Sequence, residues 1–119
     1  MNIYTAHYRY TGADRIDITV KGAAKPGEVL APTWVMVKAH KAGTLSDWDY
    51  TMKYFGLLME RTNQISPAWR NELDEIIMNR SQITLVCFCP IGTFCHRILA
   101  ARMIENMGYG KYIGEMSLL

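Results

Sequence analysis

The stretch that decides the fold is SQITLVCFCPIGTFCHRILAARMIENMG, residues 81–108. Residues 81–89 form the clearest predicted strand of the chain, because apolar side chains occupy both of its alternating faces. A strand of this kind is covered by helices on both sides, as in a parallel sheet. From about Cys95 to Asn106, apolar residues recur at helical spacing, and Gly108 follows as a helix terminator. The step from a buried strand into a helix predicts an α/β fold.

Further strands are predicted towards both ends of the chain. Residues 2–10 are rich in aromatic and β-forming residues, and residues 15–20 alternate between apolar and polar side chains. The tail after Gly108 predicts an edge strand or a docking segment. Together with the strand at 81–89, these elements predict one domain over residues 1–119. Its expected architecture is a small three-layer, Rossmann-like α/β fold with a mostly parallel sheet flanked by helices.

Three helices are predicted between these strands. Residues 33–43 form a short one, Ser46 caps a second, and Ser66 followed by Pro67 begins a third. Helical spacing assigns a buried face to each of the longer helices, including the last one. In the third helix, Glu72 is expected to face water. The predicted buried faces are Met52, Phe55, Leu58 and Met59 in the second helix, Trp69, Leu73, Ile76 and Ile77 in the third, and Ile98, Leu99, Met103, Ile104 and Met107 in the last.

Composition and charge narrow the class of protein. Half of the 119 residues are hydrophobic, a fifth are charged and the net charge is +2, a balance that gives no support for a nucleic-acid partner. No apolar stretch approaches the ~20 residues that span a bilayer, and the N-terminus lacks the pattern of a signal peptide. We therefore expect a cytoplasmic protein with reduced thiols and no membrane partner. The odd number of cysteines argues against a disulfide scaffold, and no cofactor is predicted.

All three cysteines lie between residues 87 and 97, where the predicted strand turns into the last helix. In α/β folds, ligands collect at the carboxyl ends of the strands. The start of a helix carries unpaired N–H groups that favour anions, and Arg97 adds a charged donor there. Gly92 lets the loop bend closely, and a thiol at Cys95 beside His96 should ionise more readily than a free cysteine.

Four interpretations of this segment remain open. The first is that Cys87 and Cys89 simply pack in the core, as buried cysteines often do. The second is an anion or phosphate pocket that uses Arg97 and the helix N–H groups. The third makes Cys95 a nucleophile or redox thiol with His96 as its base. The fourth is a zinc site made by all three cysteines and His96, although their spacing lacks the paired knuckles of common zinc sites.

Residues from other strands are candidates for the same pocket. His7 and Arg9 lie at the end of the first strand and Asp17 lies in the second, so their side chains can face the crevice; for Arg9 and Asp17 the simpler alternative is ion pairing on the surface. Trp34 follows a loop rich in Gly and Pro, and such loops often border sites, whereas His40 is expected to be exposed. The predicted ligand-binding residues are Cys89, Gly92, Thr93, Arg97, His7, Arg9 and Asp17; the predicted catalytic residues are Cys95 and His96, with no metal ligand assigned.

The segment LVCFCPIGTFCHRILAARMIENMG resembles the signature of a bacterial and phage family catalogued as domain of unknown function 488. The strand end at residues 85–87 and the triplet at residues 95–97 match that signature, and IYTAHYRYTGADRIDITVK, APTWVMV and LSDWDYTMKYFGLLME resemble its compact members. Longer members carry a glutamate where this chain has Phe88, so a role for a carboxylate is not transferred. The resemblance implies a small Rossmann-like fold with a pocket at the Cys-His-Arg end.

These observations predict a small enzyme that acts on a nucleotide-like or other phosphate-bearing ligand. Arg97 and backbone N–H groups would hold the anion, with Cys95 or His96 available for chemistry. The first alternative is a binding module that sequesters or senses such a ligand without turnover. The second alternative is a structural zinc site.

Overall fold

The sheet is built around the strand that the sequence marks most clearly. A computed structural model of the protein describes most of the chain, namely residues 1–22, 26–63, 67–90 and 92–117. The helices and strands have these bounds: β1 Asn2–His7, β2 Arg15–Asp17, a 3-10 helix Gly27–Leu30, α1 Trp34–Lys41, α2 Asp47–Asn63, α3 Pro67–Ile77, β3 Gln82–Cys87, α4 His96–Asn106 and β4 Lys111–Glu115. In β3, every residue after the first is buried, as predicted.

The four strands form one parallel sheet in the order β2-β3-β1-β4. With the four α-helices it makes a small three-layer α/β fold, which confirms the predicted fold class. The tail forms β4 and pairs with β1 at the edge of the sheet. Among the described residues, no helix combines the length and apolar character needed to cross a membrane.

The parallel register brings the carboxyl ends of the strands together. His7 at the end of β1 lies opposite Cys87 at the end of β3, and Asp17 at the end of β2 lies opposite Val86. Glu115 is the last residue of β4 on the other side of β1. Four strand ends that are far apart in the sequence therefore meet at one edge of the sheet, which we call the carboxyl edge.

The first two strands are shorter than predicted because local hydrogen bonds turn the backbone. After β1, the Tyr10 N–H donates to the His7 carbonyl at 2.9 Å and closes a turn. After β2, the Asp17 carboxylate accepts from the N–H and the hydroxyl of Thr19, at 2.9 and 2.7 Å. Short polar side chains commonly compete with sheet pairing in this way.

The starts of the helices agree with the sequence. Thr33 caps α1 by accepting the Met36 N–H at 3.2 Å, and Ser46 caps α2 by accepting the Asp49 N–H at 3.1 Å. Pro67 is the first residue of α3. The predicted cap Ser66 lies outside the described residues.

The predicted buried face of α2 is wrong at two of its four positions. Met52 and Met59 are more than half exposed. The residues buried instead are Tyr50, Tyr54 and Leu58. Tyr54 is fully buried because its hydroxyl has a partner, the carbonyl of Leu30 at 2.6 Å. A periodicity argument based on aliphatic side chains misses tyrosines whose hydroxyl is bonded in the core.

The faces of α3 and α4 also need correction. Glu72, expected to face water, is buried, whereas Met107, expected to be inside, is 39% exposed. The residues of α4 that are buried are His96, Arg97, Ala100, Ala101 and Ile104. Two of these five residues are alanines, and the long side chain of Arg97 is fully buried with them.

Asp14 holds the segment between β1 and β2 against β3. Its carboxylate accepts from the hydroxyls of Tyr10 and Thr84 and from the Gln82 amide, at 2.5, 2.6 and 2.9 Å. Partial burial alone would raise the pKa of Asp14, but these hydrogen bonds outweigh it and hold the pKa below its ordinary value. Asp14→Ala is expected to lower the free energy of unfolding by about 2 kcal/mol at pH 7, because the buried hydroxyl of Thr84 and the half-buried hydroxyl of Tyr10 lose their acceptor.

The pH dependence of this effect follows from the lowered pKa. The contribution of Asp14 to the free energy of unfolding is complete above the carboxyl's ordinary pKa of 3.8. It disappears as the pH falls through the lower pKa that the carboxyl has in the folded protein. Urea unfolding at pH 7 and pH 3 measures the free energy of unfolding of wild type and variant. The difference between the two proteins should be smaller at pH 3 than at pH 7. The matched control is Asp74→Ala, which removes an exposed carboxylate and should cost less than about 0.5 kcal/mol. A gap that stays constant with pH would contradict this account of Asp14.

Candidate functional site

A cavity of about 360 Å³ opens at the carboxyl edge of the sheet. Its walls come from the ends of β2 and β3, from α1 and α2, and from the loop that leads into α4. The apolar and aromatic lining consists of Val20, Trp34, Val37, Tyr50, Phe88 and Phe94. The polar lining consists of Thr19, Lys21, His40, Lys41 and His96, together with the three cysteines.

The three cysteines form a thiol cluster at this cavity. The sulfur atoms of Cys87, Cys89 and Cys95 all lie within 4.8 Å of one another. Cys87 and Cys95 are buried and their sulfur atoms are in contact as a pair, while Cys89 is a half-buried free thiol. Burial raises the pKa of the Cys89 thiol, although Arg97 and Lys41 act in the opposite direction.

Arg97 lies beneath the thiol cluster and is fully buried. Its Nε and Nη2 atoms donate to the two carboxylate oxygens of Glu115, at 2.9 and 2.5 Å. Nη1 donates to the Cys89 carbonyl at 2.9 Å and to the Cys87 sulfur at 3.0 Å, and it lies 3.6 Å from the Cys95 sulfur. The guanidinium therefore has protein partners for all three nitrogens, and it is not among the described residues that line the cavity.

His96 is the first residue of α4 and lies on the cavity wall. Its Nε2 atom lies 2.8 Å from the carbonyl oxygen of Ile18. Because a carbonyl only accepts, Nε2 carries the proton, and Nδ1 is left as an acceptor 3.8 Å from the Cys95 sulfur. Burial lowers the pKa of His96 to about 4, so the ring is neutral near pH 7. A thiol, an unprotonated ring nitrogen and a group that orients the ring are the parts of an activated nucleophile.

The other predicted ligand-binding residues are not among the described lining of the cavity. His7 is half-buried and accepts the Arg9 N–H at 3.2 Å, while Arg9 itself is exposed. Asp17 orients Thr19, which does line the cavity. Gly92 has a φ of +83° that suits glycine, and the Thr93 hydroxyl donates to the Pro90 carbonyl at 2.7 Å. Of the predicted set, the structure thus brings Cys89, Cys95 and His96 together at the cavity.

Comparison with known protein families identifies the chain. Residues 3–108 match the model of DUF488-N3a, described as the active DUF488-N3 subclade. The chain belongs to this family. The match includes the thiol cluster and the Cys-His-Arg triplet and confirms the resemblance seen in the sequence. Neither the curated proteins nor the solved structures contain a match to the chain.

The sequence of this DUF488-N3a protein did not reveal most of the cavity wall. His40 was expected to be exposed, but it is partly buried, lies 2.6 Å from Asp47, and its ring packs against Phe94 and Tyr50. Trp34 does border the site, as its place after the loop suggested, and the Lys21 ammonium lies 5.1 Å from its ring centre. These residues come from four separate segments, so only the tertiary structure brings them together.

Phe88 is one such wall residue, at the position for which the sequence resemblance implies a glutamate in longer members. Its ring stacks on Tyr8 with a distance of 4.1 Å between ring centres, although the side chain is 58% exposed. The wall is therefore apolar here, and a mechanism that needs a carboxylate from this position does not apply to this DUF488-N3a protein.

Proposed function

We propose that this DUF488-N3a protein is a small enzyme that acts on a nucleotide-like or other phosphate-bearing ligand bound in the cavity at the carboxyl edge. The observation that carries the proposal is the composition of this cavity. It combines aromatic walls, two lysines and a reactive corner made by the thiol cluster and His96. Its volume of about 360 Å³ falls within the range typical of small-molecule sites.

The walls favour a ligand with a flat ring and an anionic group. Trp34, Phe88 and Phe94 offer ring faces and edges against which a planar base can pack. Lys21 and Lys41 supply positive charge at the same cavity, and lysine commonly binds phosphate as a point charge. These lysines take the role that the sequence interpretation gave to Arg97, whose charge is directed to Glu115.

The reactive corner supports catalysis rather than binding alone. The unprotonated Nδ1 of His96 faces the Cys95 sulfur, and the Ile18 carbonyl fixes the ring in this orientation. A neutral imidazole can accept a proton from a neighbouring group at physiological pH. The description of the matching family as active also favours an enzyme. Chemistry on the ligand would therefore take place at the end of the cavity that holds Cys95 and His96.

A thermal-shift screen tests the ligand class before any reaction is assumed. Inorganic phosphate, nucleosides, nucleoside phosphates and sugar phosphates would be added separately, since a ligand that binds only the folded state raises the melting temperature. Nucleoside phosphates are expected to give the largest shift, because they can use both the rings and the lysines. For the best ligand, Lys21→Ala and Lys41→Ala are each expected to weaken binding about tenfold, which corresponds to about 1.4 kcal/mol.

Lys53→Ala is the matched control, because Lys53 is an exposed lysine of α2 that is not among the described lining of the cavity. It should leave the dissociation constant unchanged. If all three substitutions weaken binding equally, the cause is the lower net charge of the protein. That result would contradict a site in this cavity. Tight binding with no product formed in prolonged incubations would contradict the enzyme and would favour the binding module.

A further inference from the structure

We propose that the thiol cluster binds one zinc ion through Cys87, Cys89 and Cys95. The three sulfur atoms converge to within 4.8 Å of one another from the end of β3, the loop after it and the residue before α4. Tetrahedral zinc with Zn–S bonds of about 2.3 Å places its sulfur ligands about 3.8 Å apart. Soft thiolates select zinc over the hard ions that carboxylates hold. The cluster thus offers the right ligand type, and the Cys87 and Cys95 sulfur atoms, which are in contact, would separate to this spacing when the ion binds.

The backbone positions favour metal ligands over a permanent disulfide. The Cα atoms of Cys87 and Cys95 are 7.9 Å apart. A disulfide usually joins Cα atoms about 4.4–6.8 Å apart, so a covalent link here would require the backbone to move. Cys87 ends a strand that is paired on both sides, which resists such a movement. An ion bound by both sulfur atoms would lengthen the connection between the two residues and suit this separation of their Cα atoms.

Arg97 supplies the outer layer that a thiolate site needs. Its Nη1 donates to the Cys87 sulfur at 3.0 Å, lies 3.6 Å from the Cys95 sulfur and also holds the Cys89 carbonyl. One side chain thus contacts all three cysteines, and Glu115 fixes it in place through two hydrogen bonds. Three thiolates and Zn²⁺ together carry one negative charge, which the fully buried guanidinium faces directly. Outer groups of this kind orient the ligands of metal sites and tune the ion.

The fourth coordination position faces the cavity, because all three cysteines also line it. Three protein ligands with one open position are typical of catalytic zinc sites, whereas structural sites are closed by four. His96 does not belong to the cluster, and its Nε2 is engaged by the Ile18 carbonyl, so its ring would stay beside the ion with Nδ1 towards Cys95. Zinc binding itself does not depend on the proposed function. Only the catalytic use of the open position rests on it.

The test is a metal titration of the full chain, purified under reducing conditions and stripped with a chelator. Zn²⁺ is expected to bind at one ion per chain, and Co²⁺ in its place should give the near-ultraviolet charge-transfer absorption of thiolate ligands. Zn²⁺ should also protect all three cysteines of the wild-type protein from alkylation. Cys89→Ser should weaken Zn²⁺ binding by more than about 100-fold, above the effect expected for outer-layer changes. Cys89 is only half-buried, so far-UV circular dichroism should show an intact fold.

His96→Gln is the matched control and should keep one ion per chain. Loss of Zn²⁺ in this variant would overturn the three-thiol assignment. Finding only one free thiol per chain after reducing purification would also overturn the assignment, because it would mean a stable Cys87–Cys95 disulfide. Absence of stoichiometric Zn²⁺, with alkylation unaffected by the ion, would overturn the proposal as well. These results are independent of the ligand screen, which can be run on stripped and zinc-loaded protein alike.

Discussion

Arg97→Ala is expected to lower the free energy of unfolding by about 3–5 kcal/mol, the range found when one partner of a buried ion pair is removed. Arg97 is fully buried, and its partner Glu115 is only 18% exposed. Burial alone would raise the pKa of Glu115, but its hydrogen bonds with Arg97 and Thr5 hold the pKa below the ordinary value. Without the guanidinium, this partly buried carboxylate loses its charged partner and keeps its hydrogen bond with Thr5, and the Cys89 carbonyl loses its donor. Equilibrium unfolding in guanidinium chloride, followed by circular dichroism, measures the loss.

Two further variants show whether the buried pair is the cause. Arg102→Ala removes an exposed arginine from the same helix, where it pairs with Glu105 at 3.3 Å, and should cost less than about 1 kcal/mol. The double variant Arg97→Leu with Glu115→Leu should recover much of the stability, since apolar residues of similar volume often replace a buried ion pair without loss. A single Arg97→Ala variant as stable as Arg102→Ala would show that the pair does not support the fold.

The fold was predictable because its strongest signals are local. Residues 81–108 contain a strand that is apolar on both faces, a short loop and a helix, and these follow from side-chain alternation and helical spacing alone. The order of the strands has no such signal. That Glu115 of β4 meets Arg97 of α4 depends on β4 pairing with β1, which no local pattern in the sequence expresses.

The candidate site likewise has one part that the sequence predicts and one part that only the tertiary structure brings together. The thiol cluster and His96 lie within one short segment, so the sequence shows them together even before the structure gives their distances. The cavity wall is assembled from Lys21, Trp34, Tyr50 and Phe94, which are brought together only by packing. Arg97 shows most clearly which features the sequence can predict and which depend on the tertiary structure. The sequence shows its charge at the start of a helix, where anions bind, but the direction of the side chain depends on a carboxylate 18 residues later in the chain.

Cys95→Ser is expected to reduce kcat/KM by at least about 10³-fold on the substrate found by the ligand screen, since the loss of a group central to the chemistry typically costs this much or more. The hydroxyl nearly keeps the size of the side chain, but it is a poorer zinc ligand and a weaker nucleophile than a thiol. The rings and lysines that are proposed to hold the ligand are unchanged, so the dissociation constant should stay within about threefold of wild type. Steady-state kinetics and calorimetric binding measure the two quantities separately. Met52→Leu, on the exposed side of α2, is the control and should match wild type in both.

The same assay on Cys89→Ser connects this prediction to the zinc site. If the three thiols share one ion, losing any one of them removes the ion, and Cys89→Ser should lose about as much activity as Cys95→Ser. If instead only Cys95→Ser is inactive, Cys95 acts alone as a nucleophile with His96 as its base, and the zinc proposal fails while the enzyme stands. Full activity in both variants would contradict a thiol-dependent enzyme altogether. The comparison is decisive because the Cys89 and Cys95 sulfur atoms lie within 4.8 Å of each other at the same cavity, while it is Cys95 that faces Nδ1 of His96.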